Sequence, residues 1–288
     1  SGSQHTSGAA DRRLRGQRRT MRWRGVPGLV ALGASALTAG PPAAAEPPMV
    51  AIVIDDLGHA LDPGLQVAAL AGPIACSILP HTPSGAELAR RCHANGKEVM
   101  LHLPMQPADP SERPGDGALE IAHSRYELRH RLEAAMAAVP HASGVNNHMG
   151  SLLTRHLAPM QWLMESLSER RDLFFVDSRT TPATVAWRVA KSNGLRTARR
   201  DVFLDHSPRP GDIRREFERL KQAARSQGFA LAIGHPYPET LAVLRAELPR
   251  LREEGIMLVS VNRLIHRTSK ENAPWLVYSS PSLPVSKR

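Results

Sequence analysis

The stretch Met49-Val50-Ala51-Ile52-Val53-Ile54-Asp55-Asp56-Leu57-Gly58 decides how this chain folds. Its first six residues are apolar and rich in β-branched side chains, with no polar alternation. A strand there is buried on both faces. It stops abruptly at two carboxylates. The pattern recurs down the chain: Pro73–Leu79 runs into Pro80-His81, Glu98–Leu101 into His102, and Ala142–Asn146 into Asn147-His148. Leu173–Val176 meets Asp177, Val202–Leu204 meets Asp205-His206, Phe229–Ile233 meets Gly234-His235, and Ile256–Val261 makes an eighth run. Helix-like stretches separate the runs, at 63–71, 84–95, 124–139, 158–170, 182–193, 210–227 and 238–254. Several open on Ser, Thr or Pro and stop at Gly96, Gly194, Gly228 or Gly255. Buried strands alternating with helices are parallel strands joined by crossovers. Eight such units predict an α/β fold, a closed or nearly closed (β/α) barrel. A doubly wound open sheet is the alternative. No G-x-G-x-x-G follows the first strand, so a dinucleotide fold has no support.

Seven consecutive strands therefore end in Asp or His. In a barrel of parallel strands those ends share one mouth, where barrel enzymes keep their chemistry. Any one of these residues alone reads as a helix cap or a hydrogen-bonded structural side chain. Seven together read as a functional cluster. Asp and His are ligands for a divalent metal and are also general acids and bases. Asp55 and Asp56 are neighbours on a strand, so their side chains are expected to point in different directions. One can then hold a metal while the other faces a reacting water. His102 and His148 are the best imidazole partners, although no H-x-x-x-H spacing links them.

Composition limits the remaining choices. With 42% hydrophobic and 22% charged residues and two cysteines among 288, the chain is neither disordered nor a disulfide scaffold. Aromatic residues are only 4%, which argues against a base-stacking nucleic-acid surface. The formal charge is +10, but residues 1–45 hold seven arginines and a single acid, Asp11. The remaining 30 basic and 26 acidic residues leave the body at +4, too little for a dedicated polyanion binder.

The arginines at 12–24, the apolar stretch Val26–Ala39 and the run Ala43-Ala44-Ala45-Glu46 have the layout of a secretory signal peptide, with Met21 a candidate start. Export to the periplasm is expected, with no stable membrane span after cleavage. An uncleaved anchor is the other reading, but the stretch falls short of the roughly 20 residues that a spanning helix needs. The expected organisation is thus a signal segment over 1–45, one barrel domain over 46–265 and a C-terminal tail over 266–288. In an oxidising compartment Cys76 and Cys92 can bridge or remain buried thiols. The sequence leaves both open.

At the strand ends the chain resembles a known family. Ile54-Asp55-Asp56-Leu57-Gly58 is similar to the motif that opens the NodB-like polysaccharide deacetylases, carbohydrate esterase family four. The wider set resembles the divergent, YibQ-like polysaccharide deacetylases of Gram-negative envelopes. It comprises His102-Leu103-Pro104-Met105, Asn146-Asn147-His148-Met149-Gly150-Ser151, Phe175-Val176-Asp177-Ser178-Arg179-Thr180, Asp201-Val202-Phe203-Leu204-Asp205-His206 and Gly234-His235-Pro236-Tyr237-Pro238-Glu239-Thr240. The likeness runs from about Val50 to Leu264. It implies a distorted, NodB-homology-like (β/α)7–8 barrel and a metal-dependent hydrolase that removes acetyl groups from a glycan, such as peptidoglycan or another envelope polysaccharide. By position, Asp55 matches the general base, Asp56 a metal ligand and His102 the first histidine of the family's H-x-x-x-H. The second histidine position is Gln106, a departure that makes His148 the replacement ligand. His235 matches the general acid. Asp177 and Asp205 match residues that orient His235 and the base, with Arg179 paired to one of them. The implied cofactor is a divalent metal, zinc first.

Two other readings compete. The departure at Gln106 fits a non-catalytic periplasmic module that keeps the barrel as a scaffold for envelope maintenance. Asp177 and Asp205 as paired carboxylates fit a glycosidase. Tyr237, beside His235, is placed to stack on a sugar.

Overall fold

The computed structural model describes residues 46–271, with side chains to 269. The expected export segment and most of the expected tail, including Trp275 and Tyr278, lie outside the described residues.

The strands are β1 (Met49–Leu57), β2 (Ala75–Ile78), β3 (Glu98–Met105), β4 (Ala142–Met149), β5 (Phe174–Asp177), β6 (Arg196–Arg199), β7 (Val202–Phe203), β8 (Phe229–Gly234) and β9 (Met257–Leu258). Every ladder is parallel, and the order is β6-β5-β4-β3-β2-β1-β8-β7, with β9 beside the start of β1. This order is the chain order wrapped into a circle, with one seam between β6 and β7. A doubly wound sheet would reverse direction partway, so that alternative is excluded. At the seam the backbone itself closes the curl. Arg200 N–H donates to the Asp177 carbonyl on β5 at 3.0 Å, and the next residue, Asp201, donates to the Leu231 carbonyl on β8 at 2.8 Å.

The outer helices are α1 (Leu61–Ala68), α2 (Gly85–Ala94), α3 (Arg125–Ala138), α4 (Leu157–Ser168), α5 (Ala186–Ser192), α6 (Pro210–Gln227) and α7 (Pro238–Glu253). The unbroken apolar run of β1 now has its explanation. Val50, Ile52 and Ile54 pack outward with helix residues such as Val67, Leu88 and Leu244. Met49, Ala51 and Val53 pack inward with Ala75, Met100, Phe174, Leu231 and Ile233. Space inside is tight. A Cβ on Gly144 would stand 2.2 Å from the Phe174 ring, so glycine there is what admits the phenylalanine.

Two sequence expectations change. β6 was not expected, because Arg196–Arg199 carries two arginines and almost no apolar signal. The eighth run, Ile256–Val261, holds only the two-residue β9, and a helix α8 (Val261–Glu271) starts where the strand was expected to end. The boundary expected at residue 265 therefore falls inside α8. Val261, Leu264 and Ile265 join the inward-facing core. Glu98 of β3 caps this helix by accepting the N–H groups of Val261 (2.7 Å) and Asn262 (3.1 Å). Cys76 on β2 and Cys92 on α2 are joined as a disulfide, with Cα atoms 6.5 Å apart. No helix among the described residues is long and apolar enough to cross a membrane.

Candidate functional site

The mouth of the barrel is built from β1, β3, β4 and the segments after β7 and β8. β1 is bulged at its end: Ile54 pairs with Cys76 and Leu57 with Ile78, so β1 spends one extra residue. Asp56 sits in that bulge with φ +57°, in the left-handed region. The alternation expected of neighbouring strand residues is thereby broken. Asp55 and Asp56 do not diverge; both face His102, from its two ring nitrogens. Asp55 Oδ1 lies 3.6 Å from His102 Nδ1, and Asp56 Oδ1 lies 3.1 Å from His102 Nε2. β3 and β4 also run further than expected, pairing as far as Met105 with Met149. His102 is thus inside the barrel rather than at its lip, and only 2% exposed.

His148 comes from the adjacent strand. Its Nδ1 lies 2.9 Å from Asp56 Oδ1 and 3.1 Å from His102 Nε2. Three potential donor atoms therefore form a triangle with sides of 2.9, 3.1 and 3.1 Å. Tetrahedral zinc with bonds of about 2.0–2.1 Å would set such atoms roughly 3.3 Å apart. Asp56 Oδ1 is buried and takes no well-formed hydrogen bond, despite two nitrogens within reach. A buried, unsatisfied carboxylate oxygen facing two imidazoles suits a shared cation. Burial opposes charge on Asp56, but the contacts and charges of His102 and His148 outweigh it and hold the carboxyl far below the usual range. Burial likewise opposes charge on His102, and Asp55 and Asp56 lift its pKa above the ordinary imidazole value.

Asn146 organises this half of the site. Its Oδ1 accepts from Ser77 Oγ at 2.7 Å and pairs with His102 Nδ1 at 3.0 Å. Its Nδ2 donates to Asp55 Oδ1 at 2.8 Å and to Ser178 Oγ at 3.2 Å. With Asn146 Oδ1 as acceptor, a neutral His102 carries its proton on Nδ1, which leaves Nε2 able to ligate. In the sequence Asn146 stands at a strand end with nothing that marks it for a role. The available signal was polarity inside a buried run, at Asn146 on β4 and at Ser77 within the apolar run of β2.

Across the mouth, Asp205 holds His235. Asp205 Oδ1 pairs with His235 Nδ1 at 2.9 Å, while Oδ2 accepts the His235 backbone N–H at 2.6 Å and the Thr240 hydroxyl at 2.8 Å. The other ring nitrogen, Nε2, lies 3.6 Å from Asp56 Oδ2. Burial disfavours the imidazolium, but the Asp205 bond and charge, then Asp55 and Asp56, push the His235 pKa up to about 9. The His235 ring is flanked by Phe203 and Tyr237, at centroid distances of 5.4 and 5.5 Å. Tyr237 is 43% exposed beside the mouth.

Asp177 does not join the cluster. It accepts the Arg179 N–H at 2.9 Å, the Thr184 hydroxyl at 3.0 Å and the Trp187 N–H at 3.2 Å. It caps α5 and orients neither His235 nor a base. The Arg179 guanidinium bonds to neither aspartate and instead donates to the Arg200 carbonyl at 3.2 Å. With Asp177 spent on a cap and Asp205 on His235, the paired-carboxylate glycosidase reading loses its basis. Gln106 lies just past the end of β3. Its Oε1 accepts the Ile121 N–H at 2.9 Å, and its carbonyl accepts those of Leu152 and Leu153. That position ties two loops together, and the third donor is supplied by β4.

Comparison with known proteins agrees with this architecture. Residues 52–265 match the family model described as divergent polysaccharide deacetylase. The chain is 39% identical over 215 residues to a Haemophilus influenzae protein, an alignment covering 75% of this chain and 76% of that one. It is 40% identical over 219 residues to YibQ of Escherichia coli, covering 75% and 67%. A solved structure from Agrobacterium tumefaciens C58 superposes with a TM-score of 0.73 at 23% identity, covering 78% of this chain and 92% of that one, a likeness of fold. A match spanning the barrel from β1 into α8, with two relatives near 40% identity, means that the chain belongs to the family of divergent polysaccharide deacetylases.

Proposed function

We propose that the protein is a metal-dependent deacetylase of an acetylated envelope polysaccharide. The observation that carries this reading is the triangle of Asp56, His102 and His148 facing a histidine held by its own carboxylate. Asp56, His102 and His148 hold a divalent ion, and two imidazoles with one carboxylate favour zinc. Such an ion supplies Lewis acidity, polarising an acetyl carbonyl and acidifying a water.

The chain's own groups do the rest. Asp55 is 3% exposed, and its Oδ1 is taken by Asn146. Its other oxygen carries no hydrogen bond found among the described residues and is the one to take a proton from the attacking water. His235, its pKa pushed up to about 9, presents Nε2 toward the site as the proton donor, because Asp205 occupies Nδ1. It delivers its proton to the departing amine or hydroxyl of the sugar. Tyr237 covers one face of that sugar. Residues 1–45 export the chain to the periplasm, where the substrate lies.

The non-catalytic alternative drew on Gln106. The approach of His148 to Asp56 and His102 supports the catalytic reading over it. The test is metal content and acetate release measured together on purified protein. The wild type is expected to carry about one zinc per chain and to release acetate from acetylated peptidoglycan fragments or another acetylated glycan. His148→Ala is expected to lose both. A wild type that binds zinc stoichiometrically yet releases no acetate from any acetylated glycan would overturn the enzymatic reading.

A further inference from the structure

The outer layer of the barrel has one gap. Every other pair of successive strands is joined through a helix, but between β6 and β7 stand only Arg200 and Asp201. No crossover helix therefore covers the seam. A cavity of about 320 Å³ lies there, walled by Thr197 and Ala198 of β6, Phe229 of β8, Trp187 of α5, and Leu264 and Ser269 of α8.

This cavity has an apolar floor and a cationic rim. Ala198 and Leu264 are buried, while Trp187 and Phe229 are half-buried, so both rings keep part of their surface uncovered. Lys191 Nζ stands 5.3 Å from the centroid of the Trp187 ring system and the Arg199 guanidinium 5.0 Å from it, which steadies that ring as one wall. The volume is at the low end for a small-molecule site and suits a large apolar side chain.

The chain itself supplies such a side chain. α8 carries the backbone to the cavity, since Ser269 is already one of its walls. Shortly beyond comes Trp275-Leu276-Val277-Tyr278, a run of large apolar residues in a chain with only 4% aromatics. The stretch from Ser269 to Trp275 spans at most about 20 Å when extended, enough to bring position 275 back over the cavity. We propose that Trp275–Tyr278 docks in this cavity as a strap across the seam, with Trp275 seated beside Trp187 and Phe229, in the place of the missing crossover helix. Indole packs offset or edge-to-face on neighbouring rings, and the Lys191 and Arg199 cations at the rim favour an aromatic face. A segment tethered this close meets its site at an effective concentration in the millimolar range, which favours it over a second copy or another protein.

The experiment is fluorine NMR of the full chain labelled with fluorotryptophan, with a soluble paramagnetic probe added. Trp275→Phe and Trp187→Phe assign the two resonances by their loss. The Trp275 resonance is expected to be broadened by the probe far less than that of a free peptide of residues 272–288. Trp275→Ala, a change outside the barrel core, is expected to shift the Trp187 resonance and to leave that of Trp162 on α4 in place. A Trp275 resonance as open to the probe as in the free peptide would overturn the strap. A shielded Trp275 whose removal leaves Trp187 unmoved would put the segment elsewhere and overturn the site. Shielding that is lost on dilution would assign the cavity to a second copy and overturn docking within one chain.

Discussion

The two halves of the mouth are held in different ways. The half on β1, β3 and β4 hangs from one buried amide. Asn146 bonds or pairs with Ser77, His102, Asp55 and Ser178, and it sits in the β3–β4 ladder, whose pairing runs unbroken from Met100 to Met105. The half around His235 hangs from one carboxylate, Asp205, between the short β7 and the end of β8, next to the seam. The first arrangement fixes one carboxylate and two imidazoles in space, a set that could hold a metal ion. The second fixes charge, as a proton donor requires.

This contrast can be broken at either end. The largest effect is expected at the ligands: Asp56→Ala should abolish zinc binding and lower acetate release by at least a thousandfold, read by metal analysis and turnover. His235→Ala should lower turnover by about 10²–10⁴-fold while zinc content stays at the wild-type level. If His235→Ala also strips the metal, the two halves are not separate. Asn146→Ala should weaken zinc affinity by about 10–100-fold, because His102 loses the acceptor that sets its tautomer. A competition titration with a chelator reads this.

The smaller effect is one of pH. Asp205→Asn removes the bond and charge that hold His235 protonated up to about 9, so the alkaline limb of activity should move to lower pH by about one pH unit or more. Zinc content should not change. The sign for stability follows by linkage. The folded pKa lies above the ordinary 6.5, so the Asp205–His235 pair stabilises the fold fully below that value and loses its effect as pH rises through about 9. Denaturation midpoints of wild type and Asp205→Asn should therefore differ at pH 6 and converge above pH 9. An unchanged alkaline limb would mean that Asp205 positions the ring without charging it.

Much of this was legible in the sequence because burial on both faces leaves a clear trace. Six-residue apolar runs such as Met49–Ile54 announce a parallel barrel, and the residues that end them announce its mouth. What escaped was whatever does not depend on hydrophobic pattern. β6 is polar because it edges the seam, and α8 was hidden because its first residue, Val261, also ended a strand-like run. Asp177 shared its position type with Asp205 and differed only in what lay near it. A carboxylate after a strand either caps the next helix or serves the mouth, and nothing local separates the two. The direction of Asp56 was missed for a related reason. A bulge overrides the period of two, and no glycine marked it.

That bulge narrows what can stand at position 56. The side chain must be short enough to reach between two imidazoles, must offer an oxygen, and must tolerate a left-handed backbone. Aspartate and asparagine meet all three demands. Evolution at this position can therefore alter the charge of the donor but has almost no freedom over its reach.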